Sequence, residues 1–391
     1  MKIKSLLIGS AAALVATSAA QAADVIIAEP EPVEYVEVCD VAGAGYFYIP
    51  GSRTCIQFSG LVRHELQFGE NDNPIDGGAF NGERDGIDSL VRAELSVRTF
   101  TETELGDLTS FIRLRSNDIN DDAQAPVLNE ETGQFDFEGV SDNGSTFVQD
   151  ATIGLGGLLM GMSDTLFDGG IAGEFDSLGG DRVHFIRYTA DLGAFSAALS
   201  LEAERNFDSR FDYVPNVVGQ LSGDIGAFSI DLWAAYDDED EVEVALGDVV
   251  TGDDEFALKA RAGFDFGPAA LAVAGTYNSG ENYYDNGYEW SVAASATVGL
   301  GEKASLTFGG QYFDGGLDTV VTNVVDGDLV VTSIDGNDAS EWRIGANLNY
   351  EIVDGFDAMI AVNYRDLDLD DADGDDDPDG FDGFIRFDRS F

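Results

Sequence analysis

The chain has 391 residues, and its 74 acidic side chains outnumber its 20 basic ones, for a formal net charge of −54. So little basic surface excludes nucleic acid as a partner, because nothing is available to neutralise phosphates, and it opposes adsorption to anionic surfaces through Lys/Arg patches. Since 44% of residues are hydrophobic, the arrangement of apolar residues decides the fold class.

The first segment, "MKIKSLLIGSAAALVATSAAQA", carries Lys2 and Lys4, an apolar run from Leu6 to Ala16 and the small-x-small pattern Ala20-Gln21-Ala22. These are the parts of a secretory signal peptide over 1–22, with Ala23 as the expected first mature residue. The apolar run is shorter than the roughly 20 residues of a spanning helix. Cleavage moves the net charge to −56 and leaves Lys259 and Lys303 as the only lysines. Export then shapes the reading of "CDVAGAGYFYIPGSRTC": in an oxidising compartment, Cys39 and Cys55 are expected to form a disulfide, whereas a metal site would need more ligands nearby. Residues 23–55 form a periplasmic N-terminal segment on this reading, and nothing calls for a cofactor or metal.

From Ile56 onward no apolar run approaches 18 residues, and hydrophobicity instead alternates with a period of two. In Ile56 to Phe68 the even positions Ile56, Phe58, Val62, Leu66 and Phe68 are apolar, while Gln57, Ser59, Arg63, Glu65 and Gln67 are polar. Such a strand has one face for lipid and one for water. The same pattern predicts strands at Asp88 to Phe100, Leu108 to Arg115, Phe147 to Leu155, Leu158 to Ser163, Val183 to Ala190, Ala194 to Arg205 and Val217 to Ile225. It continues at Ala227 to Tyr236, Glu255 to Phe266, Ala269 to Asn278, Tyr288 to Val298, Lys303 to Phe313, Ser340 to Tyr350, Phe356 to Arg365 and Gly383 to Phe391. The total is sixteen strands. Tight links such as "GG", "DLG" and "GP" alternate with long acidic ones such as "DDEDEVEVALGDVVTGDD". This predicts an all-β fold over 56–391: a 16-stranded antiparallel transmembrane β-barrel with short periplasmic turns and long external loops. A soluble sandwich would keep strands near 5 to 6 residues, and many here run longer. Trp290, Trp342, Tyr312 and Tyr364 are expected at outer strand ends, and Tyr350, Phe356 and Phe391 at inner ends, as two aromatic girdles.

The lumen phase of the first three strands concentrates Arg63, Arg92, Arg98, Arg113 and Arg115. The third external segment, Asp164 to Arg182, carries Asp164, Asp168, Glu174, Asp176 and Asp181. An arginine wall facing an acidic loop would set a transverse field that favours small hydrophilic solutes, although some of these arginines could instead pair with Glu65, Glu94 or loop acids. The summed acidity suggests a weak cation preference.

Several stretches carry a resemblance. "AEPEPVEYVEVCDVAGAGYFYIPGSRTCIQFSGLVR", "IRYTADLGAFSAALSLE" and "IRFDRSF" resemble the alphaproteobacterial porin family, the general-diffusion porins of rhizobia and relatives. The resemblance implies a homotrimeric, water-filled outer-membrane channel, multi-pass and in contact with lipid and lipopolysaccharide. It further implies narrowing by an inward-folded third loop, and a C-terminal strand, with Phe387 and terminal Phe391, that the barrel-assembly machinery recognises.

Rival readings find less support. "DLDLDDADGDDDPDG" departs from the calcium-loop spacing. An enzyme would need a placed base, and the two histidines, His64 and His184, accompany no nucleophile motif. A plugged, energy-coupled transporter would need about 22 strands. An adhesive or structural surface barrel has no reason to keep the arginine wall, and open conductance would separate it from a channel.

Overall fold

A computed structural model of the chain describes residues 37–71, 86–119, 124–128, 135–139, 145–204, 214–237, 242–244, 248–250, 255–284, 287–316, 319–325, 328–334, 339–369 and 379–391. The expected leader at 1–22 and much of the acid-rich sequence after Asp237 and after Leu369 lie outside these residues.

Sixteen strands, numbered here in chain order, form the barrel: β1 Cys55–Asn71, β2 Gly86–Thr103, β3 Gly106–Ile119, β4 Ser145–Leu155, β5 Leu158–Asp164, β6 Arg182–Asp191, β7 Phe195–Glu204 and β8 Asn216–Ile225. The second half comprises β9 Phe228–Asp237, β10 Glu255–Asp265, β11 Ala269–Asn278, β12 Tyr288–Gly299, β13 Ala304–Gly316, β14 Ala339–Val353, β15 Phe356–Leu369 and β16 Asp379–Ser390. Each pairs antiparallel with its neighbours, and β16 closes on β1 from Leu61 opposite Ser390 to Asn71 opposite Gly380. Closure removes the free edges that an open sheet would expose.

The usual relation of burial to polarity is inverted, as a lipid-embedded barrel requires. Leu199, Leu201, Leu232, Leu258, Val273, Phe308 and Ile344 are exposed on the outside, while Ser200, Glu202, Asp231, Lys259, Gln311 and Asn363 are buried within. Among the described residues no helix is long and apolar enough to cross a membrane. The rings of Trp290 and Tyr312 lie 5.6 Å apart and those of Trp342 and Tyr364 5.3 Å, next to the long-loop end. Each of the seven short turns holds a glycine in the left-handed region: Gly106, Gly156, Gly193, Gly226, Gly267, Gly301 and Gly355. A side chain would be strained at these reversals.

All sixteen expected strands are present, with ends displaced by a few residues. Three short hairpins between barrel strands were not expected: Gln124–Leu128 with Phe135–Gly139, Val242–Val244 with Asp248–Val250, and Thr319–Val325 with Asp328–Ile334. A bulge in β4 was not foreseen either. Arg113 faces Asp150 while Leu114 faces Val148, so Gln149 is the extra residue and Asp150 turns into the lumen.

The N-terminal segment is laid against the barrel. Phe47 and Tyr48 pair with Ile56 and Cys55 on the edge of β1 opposite β2. That edge is open because β16 ends at Ser390, with Gly60 and Phe391 exchanging main-chain hydrogen bonds of 2.9 and 3.1 Å. The Cys39–Cys55 disulfide is present and buried. Gly60 proves to be a seat for the ring of Phe391, which a Cβ at that position would strike. Arg389 breaks the apolar outer phase of β16 as the sequence shows, and its guanidinium donates to the carbonyls of Asp354 (3.2 Å) and Gly355 (2.8 Å) in the last turn.

Candidate constriction of the barrel lumen

The inner face of β1–β3 is built by alternation. Arg63 on β1 stands directly opposite Arg92 on β2, and the β2 positions 92, 94, 96 and 98 face Asn117, Arg115, Arg113 and Phe111 on β3. Adjacent guanidinium groups repel, and carboxylates interleave between them. Arg63 makes a two-pronged pair with Asp388 of β16 at 2.8 Å. Arg115 meets Glu94 at 2.6 Å and Arg113 meets the bulge-placed Asp150 at 3.1 Å. Arg92 donates to the neutral amide of Asn117 (2.9 Å), and Arg98 donates to Ser59 (3.3 Å) and lies 4.5 Å over the ring of Phe111. Among the described residues, Arg92 and Arg98 are therefore the wall arginines without a carboxylate partner. Three of the five expected arginines pair with strand carboxylates, but only Arg115 takes a partner that the competing interpretation named, Glu94; Arg113 takes Asp150, Arg63 takes Asp388, and Glu65 takes Arg386.

The third loop, L3 (165–181), leaves β5, enters the lumen and returns to β6. Its apolar residues lie against the inner wall in succession. Leu166 and Phe167 pack with Val218, Trp233, Ala235 and Ala257. Leu178 and Ile171 pack on Ala274 and Ala293, and Phe175 sits where Gly309 and Gly345 leave room. Polar ties follow the same course: Arg261 donates to the Gly170 carbonyl (2.6 Å), the Ser177 N–H to Gln311 (2.8 Å) and Asn363 to the Glu174 carbonyl (2.9 Å). L3 thus covers the inner side of β8–β15 and leaves the arginine-bearing face of β1–β3 uncovered.

The five loop acids separate into different environments. Glu174, near the far end of L3, approaches Arg386 of β16 at 3.5 Å and has Arg63 within electrostatic reach. Burial pushes its carboxyl above the usual carboxylate range, against the pull of those two arginines. Asp164 lies 3.7 Å from Arg182, with Arg113 also acting on it. Asp176 does not face the arginine wall. It accepts N–H groups of Ile171 (3.0 Å) and Leu178 (3.4 Å), so it organises its own loop, and burial raises its pKa. Asp168 belongs to the same side, near Lys259. Asp181 is exposed where L3 rejoins the wall.

Several contributors escaped the sequence reading. Arg386 occupies the inward phase between Ile385 and Phe387, a position that alternation alone could have marked. Lys259 is 3% exposed and bonds the L3 carbonyls of Phe167 and Leu178; its signal was rarity, as one of four lysines in the chain. Glu202 is 1% exposed and accepts the Leu166 N–H (2.8 Å) and the Thr165 hydroxyl. A second loop, L6, between β11 and β12, also reaches inward through its residues 279–284, with Tyr284 joining the Phe167 cluster. His64 and His184 both sit on exposed outer positions, away from the lumen. No group of three or more His, Cys, Asp or Glu residues that could hold a metal occurs among the described residues.

Comparison with known proteins agrees with this architecture. Residues 24–381 match a family model described as "Porin subfamily". The chain is 35% identical over 412 residues to "Porin Omp2a" of Brucella melitensis biotype 1, covering all of both chains. It is 31% identical to "Outer membrane protein IIIA" of Rhizobium leguminosarum bv. viciae, covering 97% of this chain and 93% of that protein. Among solved structures it resembles the outer membrane channel DcaP of Acinetobacter baumannii, with a TM-score of 0.61, 16% identity, and coverage of 88% of this chain and 99% of that one. A closed 16-stranded antiparallel barrel, matched to this family over nearly its whole length, makes the chain a member of the porin family.

Proposed function

We propose that the protein is an outer-membrane channel for passive diffusion of small hydrophilic solutes and ions, narrowed between L3 and the arginine-bearing wall and weakly cation-preferring. The observation that carries this reading is the course of L3 over the inner side of β8–β15, with Glu174 brought to Arg386 beside Arg63. Charges of both signs across a narrow lumen order water and retard apolar solutes, while the net acidity of the chain draws cations to the mouth within a Debye length of about 8 Å. Export by the leader, contact with lipid and lipopolysaccharide, and recognition of Phe387 and Phe391 by the barrel-assembly machinery belong to the same proposal. A catalytic role has no support from the family.

The proposal includes a homotrimer. Polar pairs lie on the outward face of β1–β4, where lipid would otherwise be met: His64 with Ser89 at 3.3 Å, Thr99 with Ser110 at 2.6 Å and Ser116 with Thr146 at 3.0 Å. A neighbouring protomer accommodates such groups better than hydrocarbon does. Light scattering in mild detergent should give three times the monomer mass, and a monomer that conducts would end the trimer reading.

Single-channel recording in a planar bilayer under a salt gradient tests the function directly. Open steps with a reversal potential of cation sign are expected; a silent membrane would favour an adhesive surface barrel. Acidification adds a second check. The raised Glu174 carboxyl protonates as pH falls towards, and while still above, 4.5, removing one negative charge beside Arg386. At roughly 7 Å in water one unit charge is worth about 0.6 kcal/mol, or about threefold in local ion concentration. The cation preference should weaken by about that factor, and Glu174→Gln should show the weakened value at neutral pH with little further change on acidification. A wild-type reversal potential that stays constant between pH 7 and 4.5 would exclude Glu174 from the selectivity path.

A further inference from the structure

We propose that L3 is held in the lumen by a clamp formed by Lys259 of β10 and Tyr284 of L6, which makes Lys259 a positioning residue for the constriction; this rests on the reading of L3 as the constriction. Lys259 is a buried cation with no carboxylate in salt-bridge contact among the described residues. Such a charge is tolerated only where other groups replace its water. Here the replacements are L3 itself. The ammonium group donates to the carbonyls of Phe167 and of Leu178 (2.7 Å), near the two ends of the loop, and lies 4.5 Å from the Phe167 ring centre and 5.0 Å from that of Trp233. Asp168 and Asp176 add attraction from the same loop. One side chain therefore ties both limbs of L3 to each other and to the wall.

L6 closes the clamp from above. The Tyr284 ring packs 5.5 Å from that of Phe167, and its hydroxyl reaches Glu202 at 3.3 Å, the carboxylate that receives the Leu166 N–H and the Thr165 hydroxyl at the start of L3. Tyr283 donates its main-chain N–H to Asp237 (2.6 Å) and its hydroxyl to the Arg182 carbonyl at the end of L3 (3.2 Å). L6 thus fixes both roots of L3, and Lys259 fixes the span between them.

The test uses Leu178→Cys in the full mature chain. Leu178 is 2% exposed and both native cysteines are in the disulfide, so the new thiol is the only one available to a charged methanethiosulfonate reagent. In this background labelling should be slow. With Lys259→Met added it should accelerate about tenfold or more, the change in loop opening expected for losing a charge-assisted hydrogen bond, while the heat-modifiable gel migration of the folded barrel is retained. Labelling that stays slow in the folded double variant overturns the clamp. If Lys259→Met does not refold, Tyr284→Ala is scored by the same criterion. Conductance of Lys259→Met without the added cysteine separates the two ideas. Fast labelling with altered unit conductance supports both. Fast labelling with wild-type conductance supports the clamp and overturns L3 as the constriction.

Discussion

Replacing Arg92 and Arg98 together with Gln should move the reversal potential under a KCl gradient strongly towards the cation limit, with a several-fold increase in the cation-to-anion permeability ratio. These two arginines lack a carboxylate partner among the described residues, so each contributes a net charge to the lumen. At about 0.6 kcal/mol per unit charge at roughly 7 Å in water, two lost charges multiply to roughly sevenfold before screening. The matched control is Arg63→Gln with Asp388→Asn, which removes a pair in contact at 2.8 Å and leaves net charge unchanged. That variant should hold the reversal potential near the wild-type value, because an ion pair presents a dipole whose field falls off faster than that of a charge. An equal shift in both variants would show that pairing within the wall does not decide which arginines govern selectivity.

The distinction between paired and unpaired arginines could not come from sequence, and its origin shows what sequence carries here. Alternation with period two placed Arg63, Arg92, Arg98, Arg113 and Arg115 on the lumen side because a strand has only two faces. Closing the barrel then brings the first strand to the last, and the partners of Arg63 and Glu65 turn out to be Asp388 and Arg386, more than 300 residues away along the chain. The β4 bulge is equally silent in the pattern, yet it aims Asp150 at Arg113. L3 was recognisable as a segment between two strands and as acidic. Which of its acids face the pore depended on Phe167, Phe175 and Leu178 finding seats on the opposite wall, with Gly309 and Gly345 making room for one of them. That packing turned Asp176 back into the loop and sent Glu174 to Arg386. Loops of irregular backbone have no period, so their contacts are legible only once the wall is assembled.

Replacing Cys39 and Cys55 with Ser should lower the temperature at which the folded barrel loses its fast gel migration, while unit conductance and reversal potential stay at wild-type values. The bridge joins residues separated by 16 in sequence, and closing a loop of that size is worth about 3 kcal/mol in the chain-entropy account. Its location concentrates the effect on the barrel seam. β16 covers one edge of β1 only as far as Gly60, where Phe391 makes the last main-chain bonds; beyond it, Phe47 and Tyr48 pair with Ile56 and Cys55 at the start of the strand. Phe47 also stacks on Phe58 at 6.0 Å, and Gln57 donates to the Ala44 carbonyl at 3.1 Å. Without the bridge these few contacts must hold the short hairpin against fraying, and a frayed hairpin leaves an unpaired strand edge where a closed barrel should have none. An unchanged transition temperature would mean that pairing alone holds the seam. A changed conductance would mean that the segment reaches the channel through Gln57, its lumen-side contact, which stands opposite Arg98.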